Sequence, residues 1–320
     1  MLFTEISPYD ENFLSVSNIH TIYYEQSGNP EGLPIVFLHG GPGSGTDPNH
    51  RRYFDPKFYR IILLDQRGCG KSTPHACIEE NTTFDLIEDL DKLRRYLKIE
   101  KWVVFGGSWG SLLAMSYAVI YPKTVIGIIL RGIFFCSSEE MEWFYYTGAP
   151  KVFPESYEQL LSLLEEDEDI LKGYHRLINS EDQTVALKAS KAWSGYEARA
   201  LKLKYDPEFS QRVHDPKKSL AIAKIETHYF FNKGFFPDSN WLFDRLNILN
   251  SLPIYIVHGR YDMVCPVKNA FTLKKHCPHA ILSIIEDAGH AGSEPGILEE
   301  LIKITNITKF QWSKDKNILF

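Results

Sequence analysis

Over residues 19–130, short runs of consecutive apolar residues alternate with stretches whose apolar positions recur every three to four residues. Ile35-Val36-Phe37-Leu38 ends in a glycine cluster, and Tyr59–Leu64 ends at Asp65. From Phe84 to Leu97 the apolar residues fall at 86, 87, 90, 93 and 97, the period of an amphipathic helix. Asn81-Thr82-Thr83 followed by Asp85 supplies its N-cap region. Trp102–Phe105, a glycine turn, a second helical stretch to about Tyr121 and Val125–Leu130 follow. Continuous apolar runs joined by helices are the mark of strands covered on both faces of a parallel sheet. The rhythm returns with a strand over Pro253–Val257, a helix over Val267–His276 and a strand over Ala280–Ile285. Ile19–Glu25 reads as antiparallel edge strand, and Trp312–Phe320 as a tail.

Residues 137–245 break this rhythm with helical patterns alone, so they are expected to form a helical cap inserted into one α/β domain made of 1–136 and 246–320. Eighteen of these 109 residues are Phe, Tyr or Trp, enough to line an apolar site. The acidic run Glu165–Asp169 reads as a solvated helix face.

Composition narrows the function classes. Lys and Arg number 35 against 41 Asp and Glu, a net charge of −6, which gives no footprint for a nucleic-acid backbone. Cysteines at 69, 77, 136, 265 and 277 are odd in number and lack CxxC spacing, as expected of reduced thiols in a cytosolic protein. His276, Cys277 and His279 lack a metal-ligand spacing, and no metal or organic cofactor is expected. The first residues lack a basic segment followed by an apolar core, and no apolar run approaches the ~20 residues of a membrane span. The expectation is a soluble, cytoplasmic protein with neither membrane nor nucleic-acid partners.

The chemistry concentrates at the ends of the apolar runs. Gly106-Gly107-Ser108-Trp109-Gly110 is a G-x-S-x-G between strand and helix, the context in which a serine hydroxyl projects alone from a tight turn. Serine needs a base, oriented in turn by an acid. Asp262 and His290 follow the two late strands in the chain order Ser, Asp, His, where open α/β sheets place their sites. His39-Gly40-Gly41-Pro42-Gly43 follows the first buried strand. Glycines there let backbone approach a reacting carbonyl, and the N–H groups of Gly41 and Trp109 are the expected oxyanion donors. Asp65–Ser72 ends like a phosphate-binding loop but has Asp65 where the first glycine belongs, so nucleotide binding is rejected. Cys265 stands three residues after Asp262, where a bulky thiol reagent would disturb the acid.

Taken together, HGGPG at 39–43, DQRGCGKS at 65–72, NTTFDL at 81–86, GGSWGS at 106–111, LRGIF at 130–134, GRYDMVCP at 259–266 and AGHAGSEPG at 288–296 resemble the prolyl iminopeptidases. The resemblance covers roughly 19–300. It implies an α/β-hydrolase fold, a serine peptidase without metal or cofactor, and peptides with a free N-terminal proline as partners. Trp193-Ser194-Gly195-Tyr196-Glu197 and Ile225-Glu226-Thr227-His228-Tyr229-Phe230 are similar to family segments whose glutamates hold the substrate amine, which implies that role for Glu197 and Glu226. Tyr196 stands where a second tryptophan is usual. The resemblance also implies substrate contacts for Arg131 and, in an apolar proline pocket, for Phe134. An esterase or amidase acting on uncharged acyl groups is the alternative enzyme, but it needs no paired carboxylates in the cap. Epoxide hydrolases and dehalogenases would need Asp in place of Ser108. A non-catalytic binding protein would be free to lose Ser108, Asp262 or His290, and all three are present.

Overall fold

The computed structural model describes residues 1–208 and 215–312. Its eight strands are β1 (Asp10–Ser15), β2 (Thr21–Gly28), β3 (Leu33–Leu38), β4 (Tyr59–Leu64), β5 (Trp102–Ser108), β6 (Val125–Ile133), β7 (Ile254–Gly259) and β8 (Ile281–Ile285). They form one sheet in the order β1-β2-β4-β3-β5-β6-β7-β8. Pairings β1–β2 and β2–β4 are antiparallel and the others parallel.

Side chains alternate across a strand, so each apolar run serves two cores. Val36, Ile62 and Val104 pack with Leu86 and Leu90 of α1 (Thr83–Tyr96) and Leu112 and Leu113 of α2 (Trp109–Ile120). Ile35, Phe37, Val103 and Phe105 face the opposite way, onto Ile297, Leu301 and Ile304. The start of α1 is set as its sequence implies: Thr82 and Asp85 form a reciprocal capping box.

Between β6 and β7 the described chain is helical. It comprises α3 (Ser138–Glu142), α4 (Ala149–Val152), α5 (Pro154–Leu161), α6 (Ile170–Ile178), α7 (Gln183–Ala200) and α8 (Pro216–Phe231). Helices α6, α7 and α8 pack on one another. After β7 come α9 (Lys268–His276), β8 and α10 (Pro295–Trp312). Among the described residues no helix is long and apolar enough to cross a membrane.

Three local expectations change. The sheet edge is β1, not the 19–25 stretch, which forms β2 one strand in. Only Leu14 of β1 is buried, so its apolar signal is slight. Helix α10 covers the second core, and Trp312 ends it with a buried ring packed against Tyr255 and Gly127; Trp312 is thus not tail, and 313–320 lie outside the described residues. The acidic run is a turn leading into α6 rather than a helix face: Asp169 caps α6 and Glu168 pairs with Arg176 at 2.7 Å.

Candidate active site

The sheet's C-terminal edge opens into a cleft of about 470 Å³ whose walls include Gly41, Ser108, Arg131, Phe134, Glu197, Glu226 and His290. These residues come from separate loops, strands and helices across more than 200 positions of sequence.

Ser108 ends β5 and precedes α2 with φ 59° and ψ −127°, a backbone state rarely adopted by residues other than glycine. Its flanks leave no room for side chains. A Cβ on Gly106 would lie 2.0 Å from the Gly110 carbonyl oxygen, and one on Gly110 would lie 2.2 Å from that of Leu38. Ser111 Oγ fixes the turn by donating to the Ser108 carbonyl at 2.7 Å and accepting from the Phe134 N–H at 3.1 Å.

His290 and Asp262 are buried. Nδ1 of His290 lies 2.7 Å from Asp262 Oδ2. Asp262 Oδ1 accepts the N–H groups of Val264 and Cys265, and His258 Nε2 lies 3.3 Å from its Oδ2. Burial opposes ionisation of Asp262, but the attraction of His290 and hydrogen bonds from His258 and His290 outweigh it and hold the carboxyl well below the usual range. Burial lowers the His290 pKa against the raising pull of Asp262. The ring is therefore neutral, with its proton on Nδ1 and a lone pair on Nε2. No hydrogen bond joins Nε2 to Ser108 Oγ. Instead Arg131 Nη1 lies 3.1 Å from Nε2 and donates to the His290 carbonyl at 2.9 Å.

The HGGPG loop passes over the serine: a Cβ on Gly40 would come 3.2 Å from Ser108 Cβ. Gly41 adopts φ +104° and Gly43 φ +114°, with Gly43 pressed against the backbone of α8 at Ala221 and Ile222. Trp109 is the first residue of α2, so its N–H has no intrahelical acceptor. The Asp65–Ser72 motif, rejected above as a phosphate loop, proves to brace this region. Gln66 Nε2 donates to the His39 carbonyl at 3.0 Å, Gln66 N–H donates to His39 Nε2 at 3.1 Å, and Gln66 Oε1 accepts from the Trp109 indole at 3.0 Å. Asp65 accepts from Thr46 N–H and hydroxyl and from Lys71 N–H. The sequence carried a signal for this, since Asp65-Gln66-Arg67 are three consecutive polar residues that end a buried strand.

In the same cleft, Glu197 of α7 and Glu226 of α8 share a hydrogen bond. Trp193 Nε1 donates to Glu226 Oε2 at 2.8 Å and the Tyr145 hydroxyl to Glu197 Oε1 at 3.3 Å. Burial pushes Glu197 up to about 7. Burial, with the charge of Glu197, pushes Glu226 well up. The pair thus retains a proton that two exposed glutamates would lose, as like charges in one site require. Rings enclose it: Tyr145 stacks on Trp193 at 4.9 Å and Phe134 meets Phe230 edge-on at 5.9 Å. Tyr196 turns from the cleft, its hydroxyl donating to the Phe144 carbonyl. Cys265 lines the cleft, and burial raises its thiol pKa. Among the described residues no group of three or more His, Cys, Asp or Glu is placed to hold a metal ion.

The sheet order, the serine elbow and the glycine loop over it define the class of α/β hydrolases, and residues 34–296 match the alpha/beta hydrolase fold family. An esterase from Exiguobacterium antarcticum superposes with a TM-score of 0.60 at 21% identity, covering 94% of this chain and 98% of that one; at that identity the likeness is one of fold. Closer relatives are a proline iminopeptidase of Arabidopsis thaliana, 50% identical over 94% of this chain and 80% of its own, and one of Xylella fastidiosa, 45% identical over 95% and 98%. The chain belongs to the proline iminopeptidase family.

Proposed function

We propose that this protein is a serine exopeptidase that releases N-terminal proline from peptides. The observation that carries the reading is the Glu197–Glu226 pair buried in the same cleft as Ser108. A hydrolase of neutral esters has no use for two desolvated carboxylates, whereas a substrate ammonium would give them charge-assisted hydrogen bonds. The relatives named proline iminopeptidase support the same activity.

In this mechanism Ser108 Oγ attacks the prolyl carbonyl carbon and passes its proton to His290 Nε2. Arg131 Nη1 must first yield its place at Nε2. Asp262 holds the imidazole in its Nδ1–H tautomer and stabilises the imidazolium. The N–H groups of Gly41 and Trp109 receive the oxyanion, with their spacing kept by Gln66. The leaving amine takes the proton from Nε2, and water then releases proline from the acyl-enzyme by the same steps. The helical segment 137–245 acts as a cap domain on a hydrolase domain of 1–136 and 246–320; it brings the carboxylates and, with Phe134, the rings that enclose proline. The five cysteines, present as free thiols, favour a reducing compartment, the cytoplasm, as the place of action.

The test compares prolyl, N-acetylprolyl and alanyl arylamides with purified protein. Turnover of the free prolyl substrate, with N-acetylprolyl rejected more strongly than alanyl, is expected. A missing ring methylene is worth about 1–3 kcal/mol, while an unpaired buried charge costs on the order of 3–5 kcal/mol. Equal turnover of free and acetylated prolyl substrates would contradict the reading.

A further inference from the structure

The cleft has a further stretch of wall beside the loop after His290, where the Tyr53 hydroxyl donates to the Gly292 carbonyl at 3.4 Å. Its wall there is a run of rings: Phe37 stacks on His50 at 4.3 Å and on Phe105 at 5.3 Å, and Tyr53 lies parallel to Phe105 at 6.0 Å. Arg131 lines the same stretch, its Nε and the Tyr53 hydroxyl each 3.5 Å from where a Cβ on Gly292 would lie. Among the described residues its hydrogen-bond partners are the two His290 atoms, and no carboxylate pairs with it. A largely buried guanidinium with donors to spare, in an aromatic chamber open to the cleft, is a site for an anion or carbonyl carried on an apolar group.

The chemistry fixes which part of the substrate reaches it. The departing nitrogen must come within about 2.6–3.2 Å of His290 Nε2 to take its proton. Arg131 Nη1 lies 3.1 Å from that same atom. The carboxyl carbon of the departing residue is two bonds from its nitrogen, well within reach of the guanidinium. We propose that this chamber binds the residue following the N-terminal proline, with an apolar or aromatic side chain along the ring wall and, in a dipeptide, the free carboxylate on Arg131. This rests on the peptidase reading above and adds to it a preference for short peptides with an apolar second residue. In longer peptides the next carbonyl oxygen takes the carboxylate's place, with a weaker bond. No covalent step is added: the chamber places the leaving group.

Gly292 offers a way to fill the chamber. A Cβ there would sit 3.5 Å from both Arg131 Nε and the Tyr53 hydroxyl, ordinary contact distances, so a longer side chain would extend into the space between them. The experiment follows proline release from Pro-Gly, Pro-Phe and Pro-Phe-amide by wild type, Gly292→Leu and Arg131→Met. Wild type is expected to favour Pro-Phe over its amide by about tenfold or more, and Arg131→Met to abolish that preference. Gly292→Leu should lower the ratio of Pro-Phe to Pro-Gly cleavage by about 10–200-fold. A second measurement needs no variant: 3-phenylpropionate, a carboxylate on an aromatic group, should inhibit wild type competitively and 3-phenylpropionamide far less. An unchanged Pro-Phe to Pro-Gly ratio in Gly292→Leu, or equal inhibition by acid and amide, overturns the chamber while leaving the peptidase reading standing. No proline release from Pro-Gly by wild type would refute that reading, and the chamber with it.

Discussion

Ser108 combines a left-handed backbone with a hydroxyl that meets the Cys265 thiol rather than the His290 ring. Replacing it by alanine removes the proposed nucleophile and no packing, so Ser108→Ala should unfold at the wild-type denaturant concentration. Oxyanion stabilisation and binding would leave at most a residual ~10³–10⁴-fold rate over water; burst-free kinetics and the loss of labelling by a serine-directed phosphonate would report it. The paired glutamates carry the opposite balance. Glu197 titrates at about 7 in the fold against about 4.3 in an unfolded chain. Between these values the folded state holds more protons, so this group's contribution to stability falls as pH rises through that window and stays low above it. Glu197→Gln should therefore stabilise the protein near pH 8 by on the order of 1–3 kcal/mol and have little effect near pH 4. Urea titrations at the two pH values measure it. A loss of stability at the higher pH would show that the carboxylate is not strained by its burial. Stability yielded at a site in return for function is the general pattern.

At the scale of elements, the parallel strands were legible because burial on both faces leaves unbroken apolar runs, and α1 because its period and its Thr82–Asp85 cap agree. The loops that carry Ser108, Asp262 and His290 were legible because each follows such a run. Edge strand β1 was not, since with only Leu14 buried its apolar pattern hardly differs from that of a loop. Helix α10 was hidden by the small apolar stripe it lays on the sheet. The bracing role of Asp65-Gln66-Arg67 was not read for a different reason: three polar residues at the end of a buried run signal a fixed role, but their partners lie 27 and 43 positions away, and no local pattern names them. Arg67 illustrates it, forming a buried bidentate pair with Asp89 of α1. Gln66 makes the consequence testable. Gln66→Leu frees the His39 carbonyl and the Trp109 indole, loosening the two segments that carry the proposed oxyanion donors. Removal of a donor costs roughly 10²–10³ in kcat, so displacement without removal should cost about tenfold to a hundredfold, with KM little changed. A variant whose KM rises while kcat holds would assign Gln66 to substrate binding or to folding alone.

Across the whole molecule, the sheet edge carries the groups proposed as nucleophile, base and oxyanion donors, and α7 and α8 carry Glu197 and Glu226 in the same cleft. The two parts are tied at the site itself: the Leu201 carbonyl, just after α7, accepts the N–H groups of both His290 and Ala291, and α8 lies against Gly43 of the glycine loop. Placement of the amine by one part therefore registers the carbonyl on the other, and the central claim is that the glutamate pair reads the free N-terminus. The most direct measurement is the ratio of kcat/KM for a prolyl arylamide to that for a neutral aryl acetate, in wild type, Glu197→Gln and Glu226→Gln. The ester uses the same serine, histidine and oxyanion donors but brings no ammonium, so it corrects for any general damage. Each substitution should lower the ratio by an amount on the order of 3–5 kcal/mol, that is roughly a hundredfold or more. A ratio unchanged in both variants would mean that the cap carboxylates do not recognise the amine, and would favour an esterase.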